Sequence, residues 1–419
     1  MPMSEQQLII HGGRPLTGHL PASGSKNAAL YALAAALLTP QPVTLHNVPE
    51  IADVEGMAHL LRALGAECVV EGNDVSIDAS GVKETAAPPE HAVALRASFL
   101  VMGPLLGRFG EASCPPPGGD VIGVRPLDVH LAGFCALGAD VRRQGQHFVA
   151  SSSGLKGARI FLDYPSVLGT VNVLFAATLA EGTTTIVNAA AEPEVAMAAE
   201  MLNAMGARID GHGSNTIVVE GVGSLGGVDF TIIPDRIESG TYLLAGAATG
   251  GDVTIEGAQA AHLDSLLTKL DEAGVVVAVD EGCIRARCNG RLRAVQLQAV
   301  PYPGFPTDLH APMAATLTQA EGVSIIHERV FENRLLYLGE LRAMGARLTA
   351  GGQSVIIEGP TPLVGSVVRA LDVRAAAAVV IAGLCASDET IVRDLVHLDR
   401  GYPRIEERLT ALGAEVYRR

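Results

Sequence analysis

The sequence predicts a mixed α/β protein built from six repeats of a βαβαββ-type unit, three in each of two domains. Two observations establish the repeat and a third closes it. A helix-ending Leu-Gly-Ala-like triplet recurs with its glycine at Gly65, Gly138, Gly206, Gly274, Gly345 and Gly413, in steps of 73, 68, 68, 71 and 68 residues along a chain of 419. Spacing this even marks an internal repeat. The copies also read alike. An Ala/Leu-rich helical stretch leads to a turn such as Ala180-Glu181-Gly182 and a strand such as Thr184–Val187, and after most of the glycines come a β-branched run, a polar turn and a second apolar run. Strand and helix therefore alternate before a closing pair of strands. The sixth copy lacks its last strand, because Gly413 is followed by Glu415-Val416-Tyr417 and the sequence ends. At the other end, Leu8-Ile9-Ile10-His11-Gly12 ahead of Pro15-Leu16-Thr17-Gly18 parallels Val355-Ile356-Ile357-Glu358-Gly359 ahead of Pro362-Leu363-Val364-Gly365. An N-terminal strand that completes the last sheet leaves no open edge.

Six copies of about 70 residues exceed one hydrophobic core, which points to two domains. The glycine-rich stretch Gly221–Gly227 and the segment Ser23-Gly24-Ser25 are the expected crossings. They divide the chain into one domain of residues 26–233 and a discontinuous one of 1–25 plus 234–419. Two crossings make a hinge, and the cleft it opens is the expected place for a substrate.

Composition narrows the function. No Trp, 4% aromatic and 48% hydrophobic residues describe an Ala/Gly/Val-rich globular protein. The longest apolar run, Ala375–Ala386, is too short for a membrane span. Met1–Gln7 has neither a basic stretch nor a signal-type apolar core, so a cytoplasmic protein is expected. The six cysteines show no Cys-x-x-Cys spacing, and free, mostly buried thiols are expected. A net charge of −15 argues against nucleic-acid and anionic-membrane partners. It does not exclude a small anionic substrate, which depends on local clustering of charge.

The repeats themselves cluster it. Aligned on the start of the long Ala/Leu helix, the copies place Lys26, Arg96, Ser166, Arg236, Asp308 and Arg374 in one slot. A helix N-terminus exposes free N–H groups and positive dipole, so basic residues are unfavourable there unless an anion binds. The competing reading is that these side chains reach nearby carboxylates such as Asp235 or Asp372. No metal site is expected, since His-Glu-x-x-His and clustered Cys/His are absent. Gly221-Val222-Gly223-Ser224-Leu225-Gly226 fits a dinucleotide pattern only in letters, because a strand follows where a helix is required. The histidines, His130 and His397 included, read as structural or solvent-facing. Ser113–His130 departs from the repeat by a Pro/Gly loop (113–125), a composition typical of lids.

These residues resemble the UDP-N-acetylglucosamine 1-carboxyvinyltransferases, enolpyruvyl transferases that open peptidoglycan precursor synthesis. The similarity runs along nearly the whole chain. It includes Gly24-Ser25-Lys26-Asn27-Ala28-Ala29-Leu30, Arg96-Ala97-Ser98, Pro117-Gly118-Gly119-Asp120-Val121-Ile122-Gly123-Val124-Arg125-Pro126 and Glu192-Pro193-Glu194. Further on it includes Pro234-Asp235-Arg236-Ile237-Glu238, Pro303-Gly304-Phe305-Pro306-Thr307-Asp308, Phe331-Glu332-Asn333-Arg334 and Asp399-Arg400-Gly401-Tyr402. The resemblance implies a two-domain inside-out α/β barrel. It also implies transfer of the enolpyruvyl group of phosphoenolpyruvate to the 3-hydroxyl of UDP-N-acetylglucosamine, without a cofactor.

By the same resemblance, Lys26, Asn27, Arg125 and Arg400 hold phosphoenolpyruvate. Arg96, Arg125, Pro126, Leu127, Asp128, Val129, Ser166, Asp308 and Val330 contact the UDP-sugar, and Arg334, Arg374 and Arg236 support them. Asp308 is the candidate base, with an N-cap role as its competitor. Asp120 stands where most members carry the lid cysteine that serves in proton transfer and is alkylated by fosfomycin. Reference pKa values of about 8.5 for Cys and 3.9 for Asp lie on either side of neutrality. An aspartic acid in that role must therefore keep its proton through burial or neighbouring substrate anions. A thiolate is also the better nucleophile toward an epoxide, so an active, fosfomycin-insensitive enzyme is expected. Ala191 stands where many relatives have a basic residue. Three other readings remain: the sister transferase acting on shikimate 3-phosphate, a non-catalytic UDP-sugar binder, and a repeat scaffold.

Overall fold

The computed structural model describes residues 6–419. Met1–Glu5, part of the Met1–Gln7 stretch considered for targeting, lie outside the described residues. The chain forms two compact units. Unit one comprises the N-terminal segment to Ser23, Val121–Val124 and Pro234–Arg419; unit two comprises Gly24–Asp120 and Arg125–Ile233.

The third repeat shows the pattern in full. Strand Arg159–Phe161 leads through helix Val167–Thr178 to strand Thr183–Val187, then helix Pro193–Ala204 and strands Arg208–Asp210 and Thr216–Glu220. Thr183–Val187 runs parallel to the first strand and antiparallel to the last, which also pairs with Arg208–Asp210. Among the described residues, five sheets have four strands in this arrangement. The sixth has three, Glu111–Cys114, His147–Ser151 and Asp140–Gln144, extended by a parallel bridge between Ala86 and Ser113. Each of the six repeat glycines closes its helix at positive φ, from +87° at Gly274 to +102° at Gly206. That left-handed helix cap favours glycine, which is why the triplet recurs.

In unit one the helices Arg236–Ala248, His310–Leu317 and Val373–Cys385 pack on one another and are buried around nearly all of their circumference. In unit two Lys26–Ala35 packs on the segment Arg96–Phe109, which packs on Val167–Thr178. A helix apolar on every side belongs in a core rather than at a surface. Strands such as Thr183–Val187 and Glu389–Arg393 alternate buried with exposed residues and turn one face to these helices. Within each unit the helices are thus inside and the sheets outside.

The N-terminal strand completes the sheet of the last repeat. Leu8–His11 lies antiparallel between Glu389–Arg393 and Glu415–Arg418, with Ile9 opposite Ile391 and Tyr417. Two other strands join sheets remote in sequence. Thr17–Pro21 pairs parallel with Asp252–Glu256 in unit one, and Val228–Thr231 pairs parallel with Val43–His46 in unit two. The stretch Gly221–Gly227 therefore runs on into one more strand of unit two, which extends to Ile233. All six cysteines are free. Cys68, Cys114 and Cys288 are buried and Cys135 is exposed, fewer buried thiols than composition suggested.

Candidate active site

The aligned slots do fall at helix starts, but with different local roles. Lys26, Arg96 and Arg236 are first residues of a helix or 3-10 turn, Ser166 is an N-cap, and Arg374 is a second residue. Asp308 sits in the 3-10 turn Thr307–Leu309 ahead of His310–Leu317. Asp235 and Asp372 cap the helices that follow them, each taking two backbone N–H groups on one oxygen. Arg374 does not reach back to Asp372 with its side chain but bonds Asp308.

In unit two, the Lys26 ammonium lies 2.7 Å from Asp53, whose side chain is 5% exposed. Asn27 follows it, half-buried. Arg96 donates to the backbone carbonyl of Arg125, and Arg125 donates through Nη1 to the carbonyl of Asp120 at 3.3 Å. The loop presses close here: a Cβ on Gly119 would stand 2.9 Å from Cβ of Arg96. Arg125 is held at φ +47°, a left-handed conformation that is strained for a side chain of this size. Burial, and then the neighbouring Arg125 charge, pull the Arg96 guanidinium down to about 10. Pro126 and Asp128 are exposed, and Asp128 opens the helix Asp128–Ala136 after Leu127. Val129 and Ser166 meet around Gly169, where an added Cβ would lie 2.7 Å from Val129 and 3.0 Å from the Ser166 hydroxyl.

Beneath Arg96 lies a support that sequence reasoning assigned no functional part. Asn172 donates to the Phe99 carbonyl at 2.8 Å and to Nδ1 of His130 at 3.0 Å, while its oxygen accepts the Gly103 N–H at 2.7 Å. His130 is fully enclosed edge-on to Phe99, and burial, with Arg96 adding to it, pushes its pKa down to about 3. It is a neutral core histidine, as the sequence suggested, and it ties the Arg96 turn to the helix that Ser166 caps.

In unit one, Asp308 is clamped by two arginines. Nη2 of Arg334 lies 2.9 Å from Oδ1, and Nε and Nη2 of Arg374 lie 3.0 and 2.9 Å from Oδ2. The N-cap position of its turn is held by Pro306. Arg374 also donates to the Tyr402 hydroxyl at 3.3 Å, which pairs with Thr241. Arg400 is half-buried just before Gly401-Tyr402, at the end of helix Val396–Asp399. Arg236 lies over the Tyr302 ring, its guanidinium carbon 5.7 Å from the ring centroid. Val330 is half-buried, and its N–H is fixed by Glu328 at 2.7 Å. Glu332 accepts the Val124 N–H at 2.7 Å, and the Asn333 N–H donates to the Ile122 carbonyl, so Val121–Val124 belong to unit one. Among the described residues no group of three His, Cys, Asp or Glu side chains is placed to hold a metal, and no helix is long and apolar enough to cross a membrane.

Asp53 and Glu328 escaped the sequence reading, and Glu332 entered it only within the Phe331-Glu332-Asn333-Arg334 stretch. Asp53 sits in an ordinary acidic first turn, and Glu332 is an exposed loop residue. Glu328 did leave a trace, a charge at an inward position of an alternating strand.

A family model described as EPSP synthase (3-phosphoshikimate 1-carboxyvinyltransferase) matches residues 10–409. The UDP-N-acetylglucosamine 1-carboxyvinyltransferase of Halothermothrix orenii is 47% identical over 410 residues, covering 98% of this chain and 99% of that one. The protein of the same name from Magnetococcus marinus is 47% identical over 414 residues, with 98% and 99% covered. Among solved structures, the enolpyruvyl transferase NikO from Streptomyces tendae has a TM-score of 0.89 at 28% identity, covering 99% of both chains. EPSP synthase from Acinetobacter baumannii has a TM-score of 0.77 at 19% identity, covering 99% of this chain and 100% of that one, a likeness of fold alone.

Proposed function

Because the chain belongs to the 1-carboxyvinyltransferase (enolpyruvyl transferase) family, we propose that it moves the enolpyruvyl group of phosphoenolpyruvate to the 3-hydroxyl of UDP-N-acetylglucosamine. Inorganic phosphate is released, in the first committed step of peptidoglycan synthesis in the cytoplasm. The observation that carries this reading is the Asp308 clamp, in a chain that matches proteins of that name from end to end. Two guanidiniums fix the carboxylate in one orientation as an acceptor, which suits a group that takes the hydroxyl proton as the oxygen attacks.

In this mechanism Lys26, Asn27, Arg125 and Arg400 hold phosphoenolpyruvate. Cations around its carboxylate and phosphate stabilise charge as it shifts to the leaving group. Asp120 gives a proton to the methylene carbon while the sugar oxygen bonds to the neighbouring carbon. The resulting adduct then expels phosphate while the Asp120 carboxylate takes back a proton from the new methyl group, which restores the double bond. Arg96, the segment Arg125–Val129, Ser166 and Val330 receive the UDP-sugar, and Arg334 and Arg374 orient Asp308. A carboxyl group at position 120 leaves no thiolate for an epoxide to alkylate, so the enzyme is insensitive to fosfomycin.

The test is phosphate release from phosphoenolpyruvate with UDP-N-acetylglucosamine, with shikimate 3-phosphate, and with neither. Release only with the first is expected. Release only with the second would move the chain to the sister activity, and binding of the UDP-sugar without release would make it a non-catalytic binder.

A further inference from the structure

We propose that Glu328, held by His310, is a positioning residue that sets the Asp308 turn and the Val330 backbone in one fixed register toward the acceptor sugar. The proposal rests on the functional reading above.

Glu328 ends the strand Gly322–Glu328, whose later residues alternate so that Ser324, Ile326 and Glu328 face inward. Apolar side chains are expected at such positions, and a carboxylate there is costly unless fully hydrogen-bonded. Glu328 is 1% exposed and has four donors. Oε2 accepts from the Thr307 hydroxyl and from Nδ1 of His310, both at 2.8 Å. Oε1 accepts the N–H groups of Val330 at 2.7 Å and Phe331 at 3.2 Å. One oxygen thus grips the turn and helix that carry Asp308, and the other grips the loop that carries Val330. The same loop continues to Arg334, whose guanidinium sits 5.9 Å over the Phe331 ring and bonds Asp308. The clamp on Asp308 and the backbone at Val330 are therefore tied to one buried carboxylate.

His310 fits the part. Burial drives its imidazole below the usual value, with Arg334 adding to this and Glu328 opposing it. The ring is then neutral and carries one proton. That proton belongs on Nδ1, since a carboxylate accepts only from a donor. Nε2 keeps a bare lone pair and has no hydrogen-bond partner among the described residues. The Tyr337 ring closes over it edge-on, with centroids 5.8 Å apart. Burial alone would raise the Glu328 carboxyl; the bonds from His310, Val330 and Thr307 outweigh it and hold the group below its usual range. A misplacement of about 1 Å at a reacting group costs on the order of 100-fold in rate.

The experiment compares Glu328→Gln, His310→Leu and His310→Gln in steady-state kinetics and thermal unfolding. Glu328→Gln and His310→Leu should lose about 10- to 100-fold in kcat/KM for UDP-N-acetylglucosamine, with KM for phosphoenolpyruvate within about twofold of wild type. His310→Gln, which keeps a donor toward Glu328, should recover most of the loss. Equal losses in both His310 variants, or equal effects on both substrates, would overturn the proposal. So would a Glu328→Gln variant that is less heat-stable yet kinetically normal. A wild-type chain that releases no phosphate with the UDP-sugar overturns the functional reading, and this proposal with it. An active wild type with kinetically silent variants overturns the proposal alone.

Discussion

Asp308 and Arg374 meet through a two-pronged contact across 66 residues of sequence, with Nε and Nη2 of the guanidinium at 3.0 and 2.9 Å from one carboxylate oxygen. Arg374 is 5% exposed, Arg334 on the other oxygen 2%, and Asp308 itself 28%. Removing the carboxylate therefore strands two buried cations. Asp308→Ala should lower stability by about 3 kcal/mol, the low end for a broken buried pair because Asp308 is partly wet. Asp308→Asn keeps acceptor shape on one side only and should unfold closer to wild type, yet lose about 100-fold or more in kcat. Denaturant unfolding beside turnover separates the two effects.

Lys26 and Asp53 form the corresponding pair in unit two, at 2.7 Å. Lys26→Met should raise KM for phosphoenolpyruvate about tenfold or more through loss of a cation at the anion. It should also destabilise the fold, because the buried Asp53 carboxylate loses the Lys26 ammonium. Lys26→Met combined with Asp53→Asn should restore stability but not activity. A double variant as unstable as the single one would refute this coupling.

Position 120 is testable with one reagent. Wild type incubated with fosfomycin should keep its activity and intact mass. Asp120→Cys should acquire a covalent adduct and lose activity with time, as a thiolate opens the epoxide. An adduct on the wild-type loop would contradict the assignment.

His46 links the strand that ends unit two to its neighbours. Nδ1 lies 2.8 Å from Asp74 and Nε2 3.0 Å from Asp229, and these bonds, the Asp74 one foremost, raise its pKa above 6.5. A raised histidine stabilises the fold fully below pH 6.5, and the contribution fades as pH rises through the folded-state value. His46→Gln should therefore lower the Tm at pH 5.5 relative to wild type and leave it nearly unchanged at pH 9. Equal shifts at both pH values would rule the linkage out.

Glu238 has a pH signature of the same sign, over a lower range that begins near 4.5. Burial lifts its carboxyl to about 7, against the pull of Arg408, whose Nε lies 3.2 Å away, and with Asp235 adding to the rise. The folded state then binds the proton more tightly than the unfolded state, so stability falls as pH rises from about 4.5 to about 7. Glu238→Gln should flatten that part of the stability profile, read by thermal unfolding at pH 5 and 7.5.

The repeat, its strand and helix order, and the N-terminal strand's place were legible because each is written locally, in periodicity and in a glycine that must turn left-handed. The pairing of Thr17–Pro21 with Asp252–Glu256 and of Val228–Thr231 with Val43–His46 was not legible. Parallel partners far apart in sequence leave no mark in either strand. Asp308 could be picked out by its slot, but capping and ion pairing look alike until Arg334 and Arg374 are in place. Glu328 was overlooked because the four donors it gathers, Val330 and Phe331 close in sequence and Thr307 and His310 far from it, come together only once the strand faces inward.

The Leu8–His11 strand has a consequence for biosynthesis. It is made long before its two partners and must wait for Glu389–Arg393 and Glu415–Arg418 to be synthesised. Unit two can collapse on itself earlier in translation, while the sheet around Ile9 closes only once Glu415–Arg418 has been made. A substitution such as Ile9→Pro, which removes a pairing N–H at the centre of this sheet, should therefore harm folding yield more than a proline placed on a surface turn.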